Sequence, residues 1–400
     1  ALARPTSPIW MDTSTGAECR EIAAAAGGDD EVCRRSGSVA IERFTGPQIR
    51  RFHKADPDGY ERTAVIHLVS SFVGSILAGK NIAIDYGDAA GMNLLNLKSL
   101  DWDDTLLDAT APGLRAKLPP PAASNTIAGT ISAYFVDKFG FSPECRIALS
   151  TGDNPSSLVG MGATRPGTFV ISLGTSDTFF AAMSEPVTDP NGFGHVFGNP
   201  AGGFMSLICF RNGSLAREAL RDRLSLDWSA FDREALAATR DAAGHNLMLP
   251  FFGPEITPRH DFTGPVLKGD AAFKSGSDSG LQVRALLEGQ FLNMRLHSQW
   301  MEVKTEGIRL TGGASKNDGI AQLIADVFQA PVERLDVSNS AALGAALIAA
   351  GAAGHQMADL QQLFCRTSPG MALQPDPAVK PAYQEALQRF ERLIAEQIPG

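Results

Sequence analysis

An α/β protein of two or three domains, built on layered sheets, is the fold class the sequence predicts, and three observations carry it. Short apolar runs alternate with glycine turns and helical patterns, most clearly in Ile308-Arg309-Leu310-Thr311, Gly312-Gly313-Ala314-Ser315 and the helical run from Asp318 to Gln329. The 400 residues exceed what one hydrophobic core usually organises, about 250–300. The composition, 44% hydrophobic and 20% charged, is that of a folded chain with little room for disorder.

Taken in order, Ala17 to Ala26 has helical spacing and stops at Gly27-Gly28, a C-cap. Phe44-Thr45-Gly46-Pro47 opens a second helix through Phe52, which Asp56-Pro57-Asp58-Gly59 closes with turn chemistry. Ala64 to Ala78 is too short to span a bilayer and carries His67, Ser70, Ser71 and Ser75, so it reads as a buried helix. From Ile84 to Asn93, small residues mark a close backbone approach before an apolar strand end. Pro119-Pro120-Pro121 reads as an exposed connector. A helix from Ser132 to Phe139 precedes a short buried strand, Arg146 to Leu149. Thr168 to Ser172 and Thr178 to Ala182 form a hairpin around Gly174-Thr175-Ser176. Val283, Leu286, Leu287, Gln290, Phe291, Met294 and His297 mark a long amphipathic helix. A domain boundary is expected near Gly162 to Gly167, giving segments 1–164 and 165–400.

Charge excludes several function classes. The 35 basic and 44 acidic residues give a net charge of -9 with no Lys/Arg block, which argues against nucleic acid or an anionic membrane as partner. The five cysteines at 19, 33, 145, 209 and 365 are odd in number and form no Cys-x-x-Cys pair. Neither a disulfide framework nor a zinc site is legible, and a reducing, cytoplasmic location is expected. No signal peptide opens the chain, and Ile9-Trp10-Met11-Asp12 reads as a strand end already inside a fold, as in a fragment.

Three turns are candidates for chemistry. Asp153 follows an apolar strand at its carboxyl end, where open α/β sheets place ligands; it is either a general base or the cap of a helix beginning near Pro155. Gly174-Thr175-Ser176 is an anion-binding turn or an ordinary hairpin tip. Thr311-Gly312-Gly313-Ala314, with Asn317 before the next helix, admits a phosphate or a flat ring against bare backbone, or is a tight turn with an Asn cap. Gly74-x4-Gly79-Lys80 mimics a phosphate loop, but Asn81 replaces the needed Ser/Thr and no strand precedes it, so it reads as a helix interior and its cap. His67 and His297 read as structural, and no Gly-x-Gly-x-x-Gly or Gly-x-Ser-x-Gly supports a dehydrogenase or serine hydrolase.

The ordered set Trp10-Met11-Asp12, Arg43-Phe44-Thr45-Gly46, Ile84-Asp85-Tyr86, Gly91-Met92-Asn93-Leu94-Leu95, Thr151-Gly152-Asp153-Asn154-Pro155, Ser172 to Thr178 and Thr311 to Ser315 is similar to the FGGY carbohydrate kinases, nearest to the animal-type members that phosphorylate xylulose. The resemblance extends over nearly the whole chain. It implies a two-domain, actin-like ATPase (ribonuclease H-like) fold with sugar and ATP in the interdomain cleft and Mg2+ as cofactor. It implies Asp153 as catalytic base, Asn154 and Arg43 as sugar ligands, and Gly174, Thr175, Ser176, Trp228, Gly312, Gly313 and Asn317 as ATP-binding residues. The family's opening Asp-x-Gly-Thr hairpin and its Gln-x-His-Gly run are absent from the sequence, which predicts an N-terminal domain incomplete at its start and leaves the metal ligands unknown. Phe251 to Pro258 and Asn339-Ser340 also depart from the common pattern. The expected activity is ATP-dependent phosphorylation of a ketopentose, D-xylulose first, by a monomer or homodimer. Ribulose, glycerol and gluconate are the competing acceptors, and a non-catalytic sugar- or nucleotide-binding relative is the rival class.

Overall fold

The computed structural model describes residues 2–237, 246–261, 263–335, 339–367 and 372–398. The chain divides into two compact units, one of 1–164, 182–207 and 337–366, the other of 165–181, 208–336 and 367–400.

The first unit is mostly helical. Gly16–Ala26 ends on Gly27, whose left-handed φ of 100° lets its N–H reach the Ala23 carbonyl. This helix buries Cys19, Ile22, Ala23 and Ala26, and packs on Asp104–Thr110. Asp56-Pro57 does not merely end the helix Thr45–Ala55. The Asp56 side chain accepts from Gly59 N and caps a new helix, Pro57–Arg62, with proline at its tolerant first position. The small-residue run after Ile84 is likewise a helix, Tyr86–Gly91, because Asp85 accepts from the N–H groups of both Gly87 and Asp88. Pro121–Ala122 is not a free connector but pairs in parallel with Ile84–Asp85.

The expected buried helix begins only at Val69, runs to Ala78, and shows part of its apolar face to solvent: Val69 is 81% exposed, and Phe72, Val73 and Ile76 are exposed too. Gly79 caps it with φ 68°, as the reading against a phosphate loop requires. Ile9, Trp10 and Met11 are exposed and form no strand, which corrects the expected strand end.

Helices Asp153–Gly160 and Ser340–Ala352, both in the first unit, meet backbone to backbone. A Cβ on Gly160 would lie 1.9 Å from the Ser340 carbonyl oxygen, and one on Gly344 would lie 1.7 Å from that of Ser156. Only hydrogen at both positions permits this approach.

The core of the second unit is a sheet. Gly307–Gly312 pairs in parallel with Val332–Arg334 on one side and with Thr168–Leu173 on the other. Thr168–Leu173 then turns antiparallel into Asp177–Met183, the expected hairpin. Phe169, Val170, Ile171, Phe179 and Phe180 are buried, which accounts for the near-continuous apolar runs in these strands. Helix Ser279–His297 is buried along most of its length, and Asp318–Phe328 buries Ile320, Leu323, Ile324 and Val327. Among the described residues, no helix is long and apolar enough to cross a membrane.

Candidate active site

In the first unit, strand Arg146–Ala148 leads through Ser150-Thr151-Gly152 into helix Asp153–Gly160. Asp153 is the first residue of that helix. Gly152 occupies the cap position, no side chain caps it, and Pro155 fits the first turn because its missing N–H would have no partner there. The reading of Asp153 as a helix cap is therefore not the one realised. Its carboxylate is exposed and accepts from the Asn154 amide at 3.1 Å.

Beneath this turn lie two carboxyls: Asp85, which the sequence leaves open, with Asp12, between orienting local structure and organising hydrated magnesium, and Asp88, to which the sequence assigns no role. Asp85 is 1% exposed and accepts from Gly87 N at 3.1 Å, Asp88 N at 3.0 Å and the Ser124 hydroxyl at 2.7 Å. The buried Thr151 hydroxyl acts on Asp85 as well, without reaching good hydrogen-bond alignment. Asp88 is paired with the Ser70 hydroxyl and faces the Gly152 N–H. Burial, followed by the Asp85 charge, pushes the Asp88 carboxyl up to about 8. Burial raises Asp85 also, opposed by the three bonds it accepts and by the nearby Thr151 hydroxyl. The spacing Asp85-x-x-Asp88 around a helix start was the available signal, but as a sequence it reads only as a cap with an acidic first turn.

Arg43 is half-buried and has no hydrogen-bond or ion-pair partner among the described residues. Its segment is held to the same short helix, since Gly46 N donates to the Met92 carbonyl at 2.9 Å. Gly152 is seated at Asp88 and Gly46 at Met92, four positions apart along helix Tyr86–Gly91 and its cap, or roughly 6 Å at 1.5 Å per residue. The structure thus brings the Arg43 and Asp153 segments onto one support.

In the second unit, strand register aligns two glycine turns. Gly312 lies opposite Leu173, so Gly313 and Gly174 leave neighbouring parallel strands at the same level. A Cβ on Gly312, at φ 92°, would lie 2.2 Å from the Leu173 carbonyl oxygen, so the approach of the strands requires glycine. Nothing stands within 4 Å of where a Gly313 Cβ would be. Gly174 does not offer its N–H outward, because that N–H donates to Asp177 Oδ1 at 3.1 Å. The exposed hydroxyls of Thr175 and Ser176 remain outward. Asp177 in turn is held by Arg217, which donates to both its oxygens at 3.0 and 2.9 Å and to Gln290 at 2.9 Å. Gln290 returns two bonds to the carbonyls of Asn212 and Gly213, and Gly213 packs on the Thr175 carbonyl. Burial raises the Asp177 carboxyl, opposed by the Arg217 charge.

Asn317 caps Asp318–Phe328 by accepting from Ile320 N at 3.1 Å, and its side chain also bonds Asp232. Asp232 belongs to helix Trp228–Ala237, so the Trp228 helix is tied to the Asn317 turn. Trp228 is exposed, with the Arg221 guanidinium 4.5 Å from its ring centre and Phe231 edge-on. Among the described residues, no group of three or more His, Cys, Asp or Glu is disposed to hold a metal ion.

The profile of the FGGY family of carbohydrate kinases, N-terminal domain, matches residues 6–160, and that of the C-terminal domain matches 169–353. Xylulose kinase of Rattus norvegicus is 40% identical over 399 residues, covering 96% of this chain and 73% of the relative. Xylulose kinase 2 of Arabidopsis thaliana is 41% identical over 366 residues, covering 88% and 65%. The crystal structure of ligand-bound xylulose kinase from Lactobacillus acidophilus superposes with a TM-score of 0.85 at 21% identity, covering 98% of this chain and 79% of that one. Plasmodium falciparum glycerol kinase with ADP gives 0.84 at 17%, covering 100% and 80%. These neighbours establish the two-domain, actin-like α/β fold. With both domain profiles matched across most of its length, the chain belongs to the FGGY family of carbohydrate kinases.

Proposed function

We propose that the chain transfers the γ-phosphoryl group of ATP to the terminal hydroxyl of a ketopentose, D-xylulose foremost, with Asp153 as general base. Segment 1–164 supplies the sugar contacts and 165–400 the nucleotide contacts. The carrying observation is Asp153 itself, an exposed carboxylate at a helix start whose turn is seated on the carboxyls of buried Asp85 and half-buried Asp88, with the segment of Arg43, unpaired among the described residues, anchored to the same support. The relatives named xylulose kinase, about 40% identical over nearly the whole chain, support the choice of sugar.

In the reaction, Asp153 accepts the hydroxyl proton as the sugar oxygen forms its bond to the γ-phosphorus and the bond to the ADP oxygen breaks. Arg43 and Asn154 donate to sugar oxygens and hold that hydroxyl in line. The Thr175 and Ser176 hydroxyls and the open backbone at Gly313 receive the phosphates, and Trp228 and Asn317 contact the adenosine end. Asp153→Asn keeps the shape but removes the proton acceptor, so kcat should fall by about 10²–10⁴-fold with KM for D-xylulose within a few-fold. A coupled ADP-release assay over D-xylulose, ribulose, glycerol and gluconate reads both points. Near-normal turnover by the variant removes Asp153 as base, and preference for another acceptor replaces the sugar.

A further inference from the structure

We propose that Asp88 is a positioning residue for Asp153, holding the turn that carries it through a half-buried carboxyl set against the Gly152 peptide and the Ser70 hydroxyl. The inference rests on the reading of Asp153 as the base. Gly152 directly precedes Asp153, and a Cβ there would come 3.0 Å from Asp88 Oδ1, so the carboxyl lies against bare peptide. The Gly152 N–H faces that carboxyl, and Ser70, from helix Val69–Ala78, bonds its other oxygen. One residue earlier, the Thr151 hydroxyl sits against Asp85, so two consecutive residues of the turn rest on two carboxyls three positions apart.

The charged groups facing Asp88 are Asp85, from the start of its own helix, and Asp153, from the helix it supports; both are acidic. No lysine or arginine pairs with it among the described residues. Three carboxyls in one neighbourhood cannot all ionise without repulsion. Burial raises both Asp85 and Asp88, so the pair keeps a proton near neutral pH, which leaves Asp153 free to act. When Asp88 loses its proton, near pH 8, added negative charge stands beneath the turn and pushes the Asp153 carboxylate from its seat.

The test compares Asp88→Asn and Asp88→Ala with the parent chain. With D-xylulose and ATP, the parent should show an alkaline fall in kcat near pH 8, which Asp88→Asn abolishes. Asp88→Ala should lose about tenfold or more in kcat with KM for ATP unchanged, and Asn should recover several-fold of that loss. An alkaline fall that persists in Asp88→Asn, or parental kcat in Asp88→Ala, overturns the proposal. Hydrogen exchange at the Gly152 and Asp153 amides, measured without substrate, separates this idea from the assigned activity. Exchange should be about tenfold faster in Asp88→Ala, or in Ser70→Ala should the former not fold. Unchanged exchange overturns the positioning role whether or not any sugar is phosphorylated.

Discussion

Asp88 has a thermodynamic signature independent of catalysis. Burial and the Asp85 charge push its carboxyl up to about 8 in the folded chain, against about 4 for an ordinary aspartate. Between those limits the native state holds a proton that the unfolded state has released, so stability falls as pH rises through this window, on the order of 1 kcal/mol per pH unit. Asn carries no such proton. The urea midpoint of the parent should therefore drop more steeply from about pH 5 to pH 8 than that of Asp88→Asn; parallel curves would show that Asp88 titrates normally. Arg217 presents the opposite case, a buried cation already matched. Removing it by Arg217→Met strands the Asp177 carboxylate and the Gln290 amide oxygen, at a cost of about 3–5 kcal/mol in denaturant unfolding. A loss under about 1 kcal/mol would mean that water replaces the guanidinium. Asp153, Gly174 and Gly312 were legible because each stands at a strand end followed by a turn. Asp88 and Arg217 were not, and Asp85 stayed open between two roles, because their meaning lies in partners 39 to 73 residues away: Ser124 for Asp85, Gly152 for Asp88 and Gln290 for Arg217.

At the scale of elements, Asp153, the proposed base, is only as well placed as the helix it begins. Helix Asp153–Gly160 is braced by Ser340–Ala352 through Gly160 and Gly344, with the two backbones in contact. One methyl at Gly344 must displace the Ser156 peptide within the first turn after Asp153. Gly344→Ala should thus lower thermal stability by about 1–3 kcal/mol, as overpacking does, and reduce kcat more than it raises KM for ATP. Differential scanning calorimetry and steady-state kinetics check the two effects; a stable variant with unaltered kcat would show that the helices separate freely. The sequence could not reveal this crossing. Ala342-Leu343-Gly344-Ala345-Ala346 is small-residue rich without naming what it touches, and Gly160 reads as a helix end. The hairpin around Gly174-Thr175-Ser176 and the helix from Asp318 were legible because local periodicity and turn chemistry decide them. Helix Val69–Ala78 was legible as a helix but not as a half-exposed one, since apolar content reports what a face could bury rather than what covers it.

For the whole molecule, the proposed division of labour follows the chain's own division. Arg43, Asp153 and Asn154 belong to the first unit; Gly174, Thr175, Ser176, Trp228, Gly312, Gly313 and Asn317 belong to the second. A ligand that binds only folded protein stabilises the elements it touches by RT ln(1 + [L]/Kd), about 2.7 kcal/mol at a hundredfold excess over Kd. Each substrate should then leave its own pattern of exchange protection. D-xylulose alone should slow exchange around 43–46 and 151–156, whereas a non-hydrolysable ATP analogue alone should slow it around 173–177 and 311–318. The contrast is sharp because Gly46 and Gly152 are seated on one short helix, while Leu173 and Gly312 are locked in one sheet register. Nucleotide protection appearing at 151–156 with no sugar present would show that the phosphates, rather than the acceptor, occupy the Asp153 turn, and the assignment of base and phosphate ligands would have to be exchanged.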